Sequence, residues 1–427
     1  MKARKTLLAA AIALTSIMAN AVELEDYLVA NSSYDDAFVS GSIIVTEPAG
    51  DAENEQVGYN YALDADYEKV FSTLPRSWGY TVALNATGNR PTTSTELITN
   101  PDFDNTLPVS ADNLTEIEVS TESTDEIQIS LEGVVDTYFH ESKYPLAFWF
   151  GLGSFVHFDS QEDDDISATL GVGYGRVYNA TPLAKVIRIV EELNEKGLLT
   201  GPIPDSVALE TAELIDRVDE FKSRFGKDEY KPDYYAAIEA SLAKSGALLD
   251  NKFGALGALT VDEVLEEDEP ISTRLHGWVV RVGAGYQASD LSGLTDDDPK
   301  LLAQFEYAKP FGYKGQFINT FTFEPIFGDE TLTTFRNDMS YTYEVTDLID
   351  WINTWTLTYT DGEDDTGTDL TTTNHIVNSR FSFDLGNKLD YFVGVRVTQF
   401  DVDPNPPGSI GDDPGIRFES GFNYRLK

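Results

Sequence analysis

From Arg274 to Tyr286 the side chains alternate with a period of two. Trp278, Val280, Val282, Ala284 and Tyr286 fall on one side, and Gly277, Val279, Arg281, Gly283 and Gly285 fall on the other. Successive strand residues point to opposite faces, so this period belongs to an extended strand and not to a helix. The pattern recurs at Trp78/Tyr80/Val82/Leu84, Phe148/Phe150/Leu152, Leu170/Val172/Tyr174, Phe317/Phe321/Phe323, Phe381/Phe383/Leu385 and Leu389/Tyr391/Val393/Val395/Val397. The last stretch gives Ile416, Phe418, Phe422, Tyr424 and Leu426 against Arg417, Glu419, Gly421, Asn423 and Arg425. Beyond the first 21 residues no continuous apolar run approaches the roughly 20 residues that a helix needs to span a bilayer. The chain is therefore an all-β fold in water, such as a two-sheet sandwich, or it crosses a membrane as strands.

Three features favour the membrane. Aromatic residues such as Trp278 and Tyr286 sit at the ends of apolar stripes, where amphipathic rings meet the two bilayer interfaces. Glycine and other small residues crowd the opposite face. Third, the segments near 37–46, 55–67, 76–88, 125–141, 145–159, 165–178, 272–290, 299–309, 313–325, 332–346, 350–361, 372–385, 388–403 and 414–427 number fourteen, within a range of 12–16. An even count brings both ends to one side and sorts the connections alternately into long and short. The long ones, at 47–54, 89–124, 159–165, 290–298, 325–331, 361–371 and 401–413, hold thirty acidic residues against a single base, Arg90. A sandwich has no reason to place its acid on alternate loops.

Lys2, Arg4 and Lys5 precede an apolar run from Leu7 to Met18 and the small residues Ala19-Asn20-Ala21, the pattern of a secretory signal at 1–21. With 30 basic residues against 73 acidic ones, the formal charge is −43, which offers no general attraction to a phosphate backbone, so nucleic acid is not an expected partner. The 24 Phe, 21 Tyr and 5 Trp carry too much apolar surface for a disordered polyelectrolyte. The absence of cysteine excludes disulfides, thiolate metal sites and a cysteine nucleophile.

The leader, the alternating strands and the terminal Phe418/Phe422/Tyr424/Leu426 strand together resemble a Gram-negative outer-membrane β-barrel of the porin-like kind. Members of that class commonly close on an aromatic residue, whereas this chain reads Tyr424-Arg425-Leu426-Lys427. The resemblance implies a transmembrane antiparallel barrel in contact with outer-membrane lipid and lipopolysaccharide, inserted by the barrel assembly machinery. The expected organisation is a leader at 1–21, an N-terminal segment at 22–36 in the periplasm or plugging the lumen, strands one to six at 37–178, a helical periplasmic insertion at 179–270, and strands seven to fourteen at 271–427. No strip of the expected lipid-facing surface stands apart as a subunit interface.

The insertion changes the period to 3.6. Thr181 caps a helix that carries Pro182 in its first turn and the stripe Leu183, Val186, Ile187, Val190 and Leu193. A second helix runs from about Ser206 to Phe225 and stops at Gly226, a third follows Pro232, and Thr260-x-x-Glu263 reads as the capping box of a fourth. The segment 181–268 is expected to pack on itself, to dock a periplasmic partner or peptidoglycan, or to gate the lumen.

If the oily faces meet lipid, the other faces place Arg281, Arg336, Arg380, Arg396 and Arg417 inside from the second half, and Asp64, Asp66, Glu132 and Asp136 inside from the first. A basic arc facing an acidic arc would set a transverse field across a constriction, selecting polar solutes by charge; the same residues could instead brace a filled barrel as ion pairs. The expected function is a channel for passive diffusion of small hydrophilic solutes, cation-favouring because of its acidic rim. The competing expectation is a closed barrel that anchors the helical module or displays the loops. Asp163-Asp164-Asp165 and Asp296-Asp297-Asp298 are weak candidates for loosely held calcium or magnesium, without calcium-loop spacing; no other cofactor is expected. Catalysis has little support, since no nucleophile elbow, zinc motif or phosphate loop occurs; only His157/Asp159 and His375/Asp369 could be forced into a dyad.

Overall fold

The computed structural model describes residues 22–46, 58–90, 94–99, 114–119, 124–159, 164–226, 229–266, 273–289, 297–328, 331–346, 348–363, 369–386, 388–403 and 414–425. The leader at 1–21 and most of the acid-rich connections lie outside these residues. In chain order the strands are β1 (Ser32–Thr46), β2 (Gly58–Ser72), β3 (Arg76–Arg90), β4 (Ser94–Thr99), β5 (Leu114–Val119), β6 (Thr124–Tyr138), β7 (Leu146–Phe158) and β8 (Asp165–Asn179). After the helices come β9 (Leu275–Ser289), β10 (Asp298–Phe311), β11 (Gly315–Phe327), β12 (Thr331–Thr346), β13 (Ile349–Glu363), β14 (Asp369–Asp384), β15 (Leu389–Asp403) and β16 (Gly415–Arg425).

Fourteen strands close into one barrel in the order β1-β16-β15-β14-β13-β12-β11-β10-β9-β8-β7-β6-β3-β2, sealed where Phe38 pairs with Arg425 and Gly41 with Phe422. Closure leaves no strand edge, which is the condition for a sheet to sit in hydrocarbon. The remaining two strands, β4 and β5, form a separate antiparallel ribbon inside the 89–124 connection, where the alternation gave no sign of a strand. The barrel also starts earlier than expected: β1 begins at Ser32, so part of the segment assigned to 22–36 is wall.

The chain divides into two compact units. In the barrel unit the apolar side chains point outward: Leu84, Leu131, Val172, Val282 and Val393 are exposed, Leu170 is 72% exposed and Phe418 79%. Outward ring pairs cluster beside the short turns, among them Phe71–Trp78, Phe139–Trp149, Trp351–Phe381 and Phe383–Tyr391. That is the girdle an interfacial aromatic belt requires. Two glycines on neighbouring strands, Gly175 (φ 120°) and Gly277 (φ 116°), hold backbone conformations that L side chains rarely adopt. A Cβ on Gly175 would lie 2.2 Å from the Trp278 carbonyl oxygen. The alternation slips by one residue at each: Gly175 and Arg176 are buried in succession, and His276 is buried on the far side of Gly277 from Val279 and Arg281.

The other unit comprises the described residues up to Val29 together with Tyr178–Gly277 and Lys309–Gly315. It contains α1 (Thr181–Glu195), α2 (Asp205–Asp216), α3 (Val218–Phe225), α4 (Lys231–Ala243) and α5 (Gly254–Glu266). Leu183, Val186, Ile189 and Leu193 of α1 meet Ala212, Ile238, Leu242 and Val261 in a conventional apolar core. Leu24 and Tyr27 join that core, so the first described residues pack within the helical unit. The single helix expected from Ser206 to Phe225 is broken at Arg217 into α2 and α3, though it ends at Gly226 (φ 94°) as read.

Two capping assignments are corrected. Thr181 is already helical; its hydroxyl accepts the Arg274 N–H at 2.8 Å, which ties together the two ends of the insertion. Thr260 lies inside α5 and opens no helix, because the run from Gly254 is helical before it. Its buried hydroxyl donates to the Leu256 carbonyl at 3.0 Å and accepts from Lys196 Nζ at 2.8 Å.

Candidate functional site

The site is built on the inner faces of the barrel strands. The first feature is an apolar lining on one stretch of wall, and it overturns an expected orientation. Phe148 and Phe150 are fully or nearly buried and point inward with Tyr138, Val279 and Leu302, with Leu152 packed against them; Trp149, between them, faces out at 58% exposure. The cause lies on the neighbouring strands: a Cβ on Gly173 would lie 2.3 Å from the Phe148 ring, and a Cβ on Gly171 2.6 Å from Phe150 and 2.5 Å from the Gly283 Cα. Bare backbone gives the rings a floor.

Arg281 emerges beside this lining, its guanidinium 5.8 Å from the Phe148 ring. It donates to Asp136 at 2.8 and 3.3 Å, to Gln304 at 2.9 Å and to Glu306 at 3.4 Å. Asp136 stands on β6 and Arg281 on β9, three strands away, and both are almost wholly buried. This pair is a brace, consistent with the rule that buried charges are paired and hydrogen-bonded. Lys300, which the sequence reading passed over, is buried too; it bonds Glu324 at 3.0 Å and Gln287 at 3.4 Å. Its signal was available, because Lys300, Gln304 and Glu306 share the same alternating face of β10. Arg176 was also missed. The slip at Gly175 turns it inward, where it lies over the Tyr138 ring at 4.0 Å and donates to the carbonyls of Thr73 and Leu74 at 2.8 and 3.1 Å.

Beyond these braces is a cavity of about 640 Å³ walled by β6 to β12. Its polar lining includes Glu132, Asp165, Gln287, Lys300, Glu324, Arg336 and Asp338, with Ser154, Ser167, Gln304, Thr320, Thr322 and Thr334 between them. Arg336 donates to Asp338 at 2.6 and 3.1 Å, and Glu132 lines the same cavity. Glu132 and Arg336 are six strands apart on a ring of fourteen, so they oppose one another across the cavity.

The remaining expected residues lie on other strands. Arg380, Arg396 and Arg417 occupy β14, β15 and β16; Arg396 and Arg417 are register partners, and Arg380 pairs with Gly394. Their restraints are looser: Arg396 is 4.0 Å from Glu419, and Arg380 lies 5.4 Å from the Phe392 ring. On β2, Asp64 accepts from Ser40 at 3.3 Å and from the Asn85 side-chain amide, with Asp66 next on the same face. The structure therefore brings together Asp136 with Arg281 and Glu132 with Arg336, while among the described residues Asp64 and Asp66 form no ion pair with the three arginines of β14–β16.

Neither pair that could be forced into a dyad forms one. His157 Nδ1 bonds Asp164 at 2.6 Å, Asp159 accepts from the Ile127 N–H, and His375 stacks on Trp355. Of the candidate cation ligands, Asp163 and Asp296 lie outside the described residues. Asp164 is taken by His157, Asp165 accepts from Gln287 at 3.0 Å, and Asp297 and Asp298 stand at the start of β10. Among the described residues no group of three or more histidine or carboxylate side chains is placed to hold a metal ion.

No family model matches the chain, and no curated protein does. Solved structures do match in outline. An outer membrane channel from Pseudomonas putida aligns over 95% of this chain and 99% of its own, at 9% identity and a TM-score of 0.31. A loop-deletion mutant of OmpT, an outer membrane protein of Vibrio cholerae, aligns over 93% and 100%, at 9% identity and 0.30. The outer membrane protein Omp33 of Acinetobacter baumannii aligns over 93% and 99%, at 8% identity and 0.27. The closed fourteen-stranded sheet, oily outside and polar within, has the fold of a porin-like outer-membrane β-barrel.

Proposed function

We propose that this barrel is an outer-membrane channel passing small hydrophilic solutes by diffusion, with its helical insertion in the periplasm and its acidic connections outside. The observation that carries the reading is the charge-lined cavity in which Glu132 opposes Arg336. Opposed charges at a narrowing order water and favour polar, charge-bearing solutes over apolar ones. The thirty acids of the long connections add a negative rim, which raises the local cation concentration at low salt and loses that effect as salt screens it. The role is transport: His157 bonds Asp164 and mid-strand His375 stacks on Trp355, so neither meets Asp159 or Asp369.

The test is single-channel recording of the full-length chain in a planar bilayer under a potassium chloride gradient. Steady steps with a cation-favouring reversal potential, shifted further toward cations by Arg336→Glu, are the expected result. A silent full-length chain would move the reading to the closed barrel that anchors its helical module or displays its loops.

A further inference from the structure

We propose that the outer face of β11–β14 is an interface between copies of this chain. The observation is a set of amide, hydroxyl and imidazole side chains on the wrong side of the wall. Thr320, Thr322, Arg336 and Asp338 line the cavity, so alternation turns Asn319 and Asn337 outward. Trp351 and Phe381 are exposed outward, which sets Asn353 and Ser379, register partners two residues further on, on that same face. Each is flanked along its own strand by outward apolar residues: Asn319 by Phe317 and Phe321, Asn337 by Phe335 and Met339, Asn353 by Trp351 and Trp355, Ser379 by Val377 and Phe381. They are not rim residues. The outward stripes of β8 and β9 offer the contrast: Ile166, Ala168, Leu170, Val172 and Tyr174, then Trp278, Val280, Val282, Ala284 and Tyr286, contain nothing of the kind.

Within one copy these groups are only partly satisfied. Asn319 donates to Asn337 at 3.0 Å; Ser379 donates to Asn353 at 2.8 Å and accepts from Trp351 Nε1 at 3.0 Å; Asn353 Nδ2 donates to the Tyr341 carbonyl at a long 3.4 Å, and Trp355 Nε1 lies 3.4 Å from His375 Nδ1. A side-chain amide offers two donors and an acceptor with two lone pairs, so this leaves hydrogen-bonding capacity facing hydrocarbon, where no water can use it. Polar groups of this sort hold membrane segments together. A second copy is the occupant that fits. Amides and hydroxyls are donors and acceptors at once, so the strip complements itself, as a two-fold interface between identical copies needs. The outward residues from Phe317 to Phe327, Phe335 to Tyr343, Trp351 to Tyr359 and His375 to Phe381 include no carboxylate and no cationic side chain, so chains of formal charge −43 can meet there without repulsion at the contact. The proposal rests on the barrel lying in a membrane and not on its conducting.

Because the chain has no cysteine, single cysteines report the contact directly. Asn337→Cys and Asn353→Cys would be placed separately in the full-length chain, with Leu170→Cys and Val282→Cys as controls, and oxidised in the outer membrane. The expected result is a reducible band at twice the monomer mass, at least about five-fold stronger for the two asparagine positions. A companion variant carrying Asn337→Leu, Asn353→Leu and Ser379→Ala should keep the heat-modifiable gel mobility of a folded barrel and shift from oligomer to monomer in native mass spectrometry. Equal cross-linking at all four positions, cross-links only to another protein, or a native chain that is monomeric in mild detergent would overturn the proposal. A chain that cross-links as expected but carries no current would sink the channel reading alone.

Discussion

The wall from β6 to β10 and the wall from β14 to β16 use arginine in opposite ways. In the first, Arg281 is buried, stacked near Phe148 and bonded to two carboxylates and an amide. In the second, Arg396 is 40% exposed along its side chain and reaches Glu419 only at 4.0 Å. The difference teaches that inward-facing charge in a barrel serves two purposes. Where rings and bare glycine backbone bring together side chains from strands three apart, a charge becomes structure; where nothing crowds it, a charge stays available to a passing solute.

That contrast can be broken by unpairing. Asp136→Ala leaves the Arg281 guanidinium buried without its principal partner, and should cost about 3–5 kcal/mol in denaturant unfolding of the detergent-solubilised barrel; Arg396→Met should cost under about 1 kcal/mol in the same assay. Asp216, in the helical unit, sharpens it with a half-buried acid that lacks such a brace. Burial, with Asp219 and Glu213 nearby, pushes its carboxyl up to about 7 from an ordinary value near 3.8. A carboxyl raised on folding contributes stability that is full at low pH and lost as pH climbs through its folded value. The helical unit should therefore weaken by on the order of 2 kcal/mol between about pH 4 and pH 7, after allowance for partial exposure, and Asp216→Asn should flatten that slope in thermal melts followed by circular dichroism. Gly173→Val tests the floor beneath Phe148: overpacking should cost about 1–3 kcal/mol and loosen Arg281 as a secondary effect. The smallest expected change in stability, within about 0.5 kcal/mol, belongs to Arg396→Glu, yet it should move the reversal potential toward cations. If Arg281→Met moved selectivity as much as Arg396→Glu did, the division of labour between the walls would fail.

The strands and helices were legible because each stripe has one dominant period, and the barrel closed with the expected fourteen. The direction of β7 was not. Its bulky stripe, Phe148/Phe150/Leu152, read as the lipid face by size, while its true outer face carries Gly151 and Gly153. What reverses the reading is Gly171 and Gly173 on β8, residues that look merely small until their neighbours are known. Arg281 and Asp136 were placed inside correctly, but 145 positions separate them along the chain, and nothing local joins them. The outward asparagines were hidden for the same reason: a polar residue on an apolar stripe looks like noise until four adjacent strands line up.

Gly175 and Gly277 carry a consequence for how such a chain can change. Each shifts the inside-outside alternation by one step where the helical unit joins the wall, much as punctuation resets a reading frame. On the helical side of each glycine the residues of opposite parity are the buried ones, Arg176 and Tyr178 on β8 and His276 on β9. A module exchanged between them would have to keep Arg176 along with the two glycines, because Arg176 carries contacts to Tyr138, Thr73 and Leu74 of the wall.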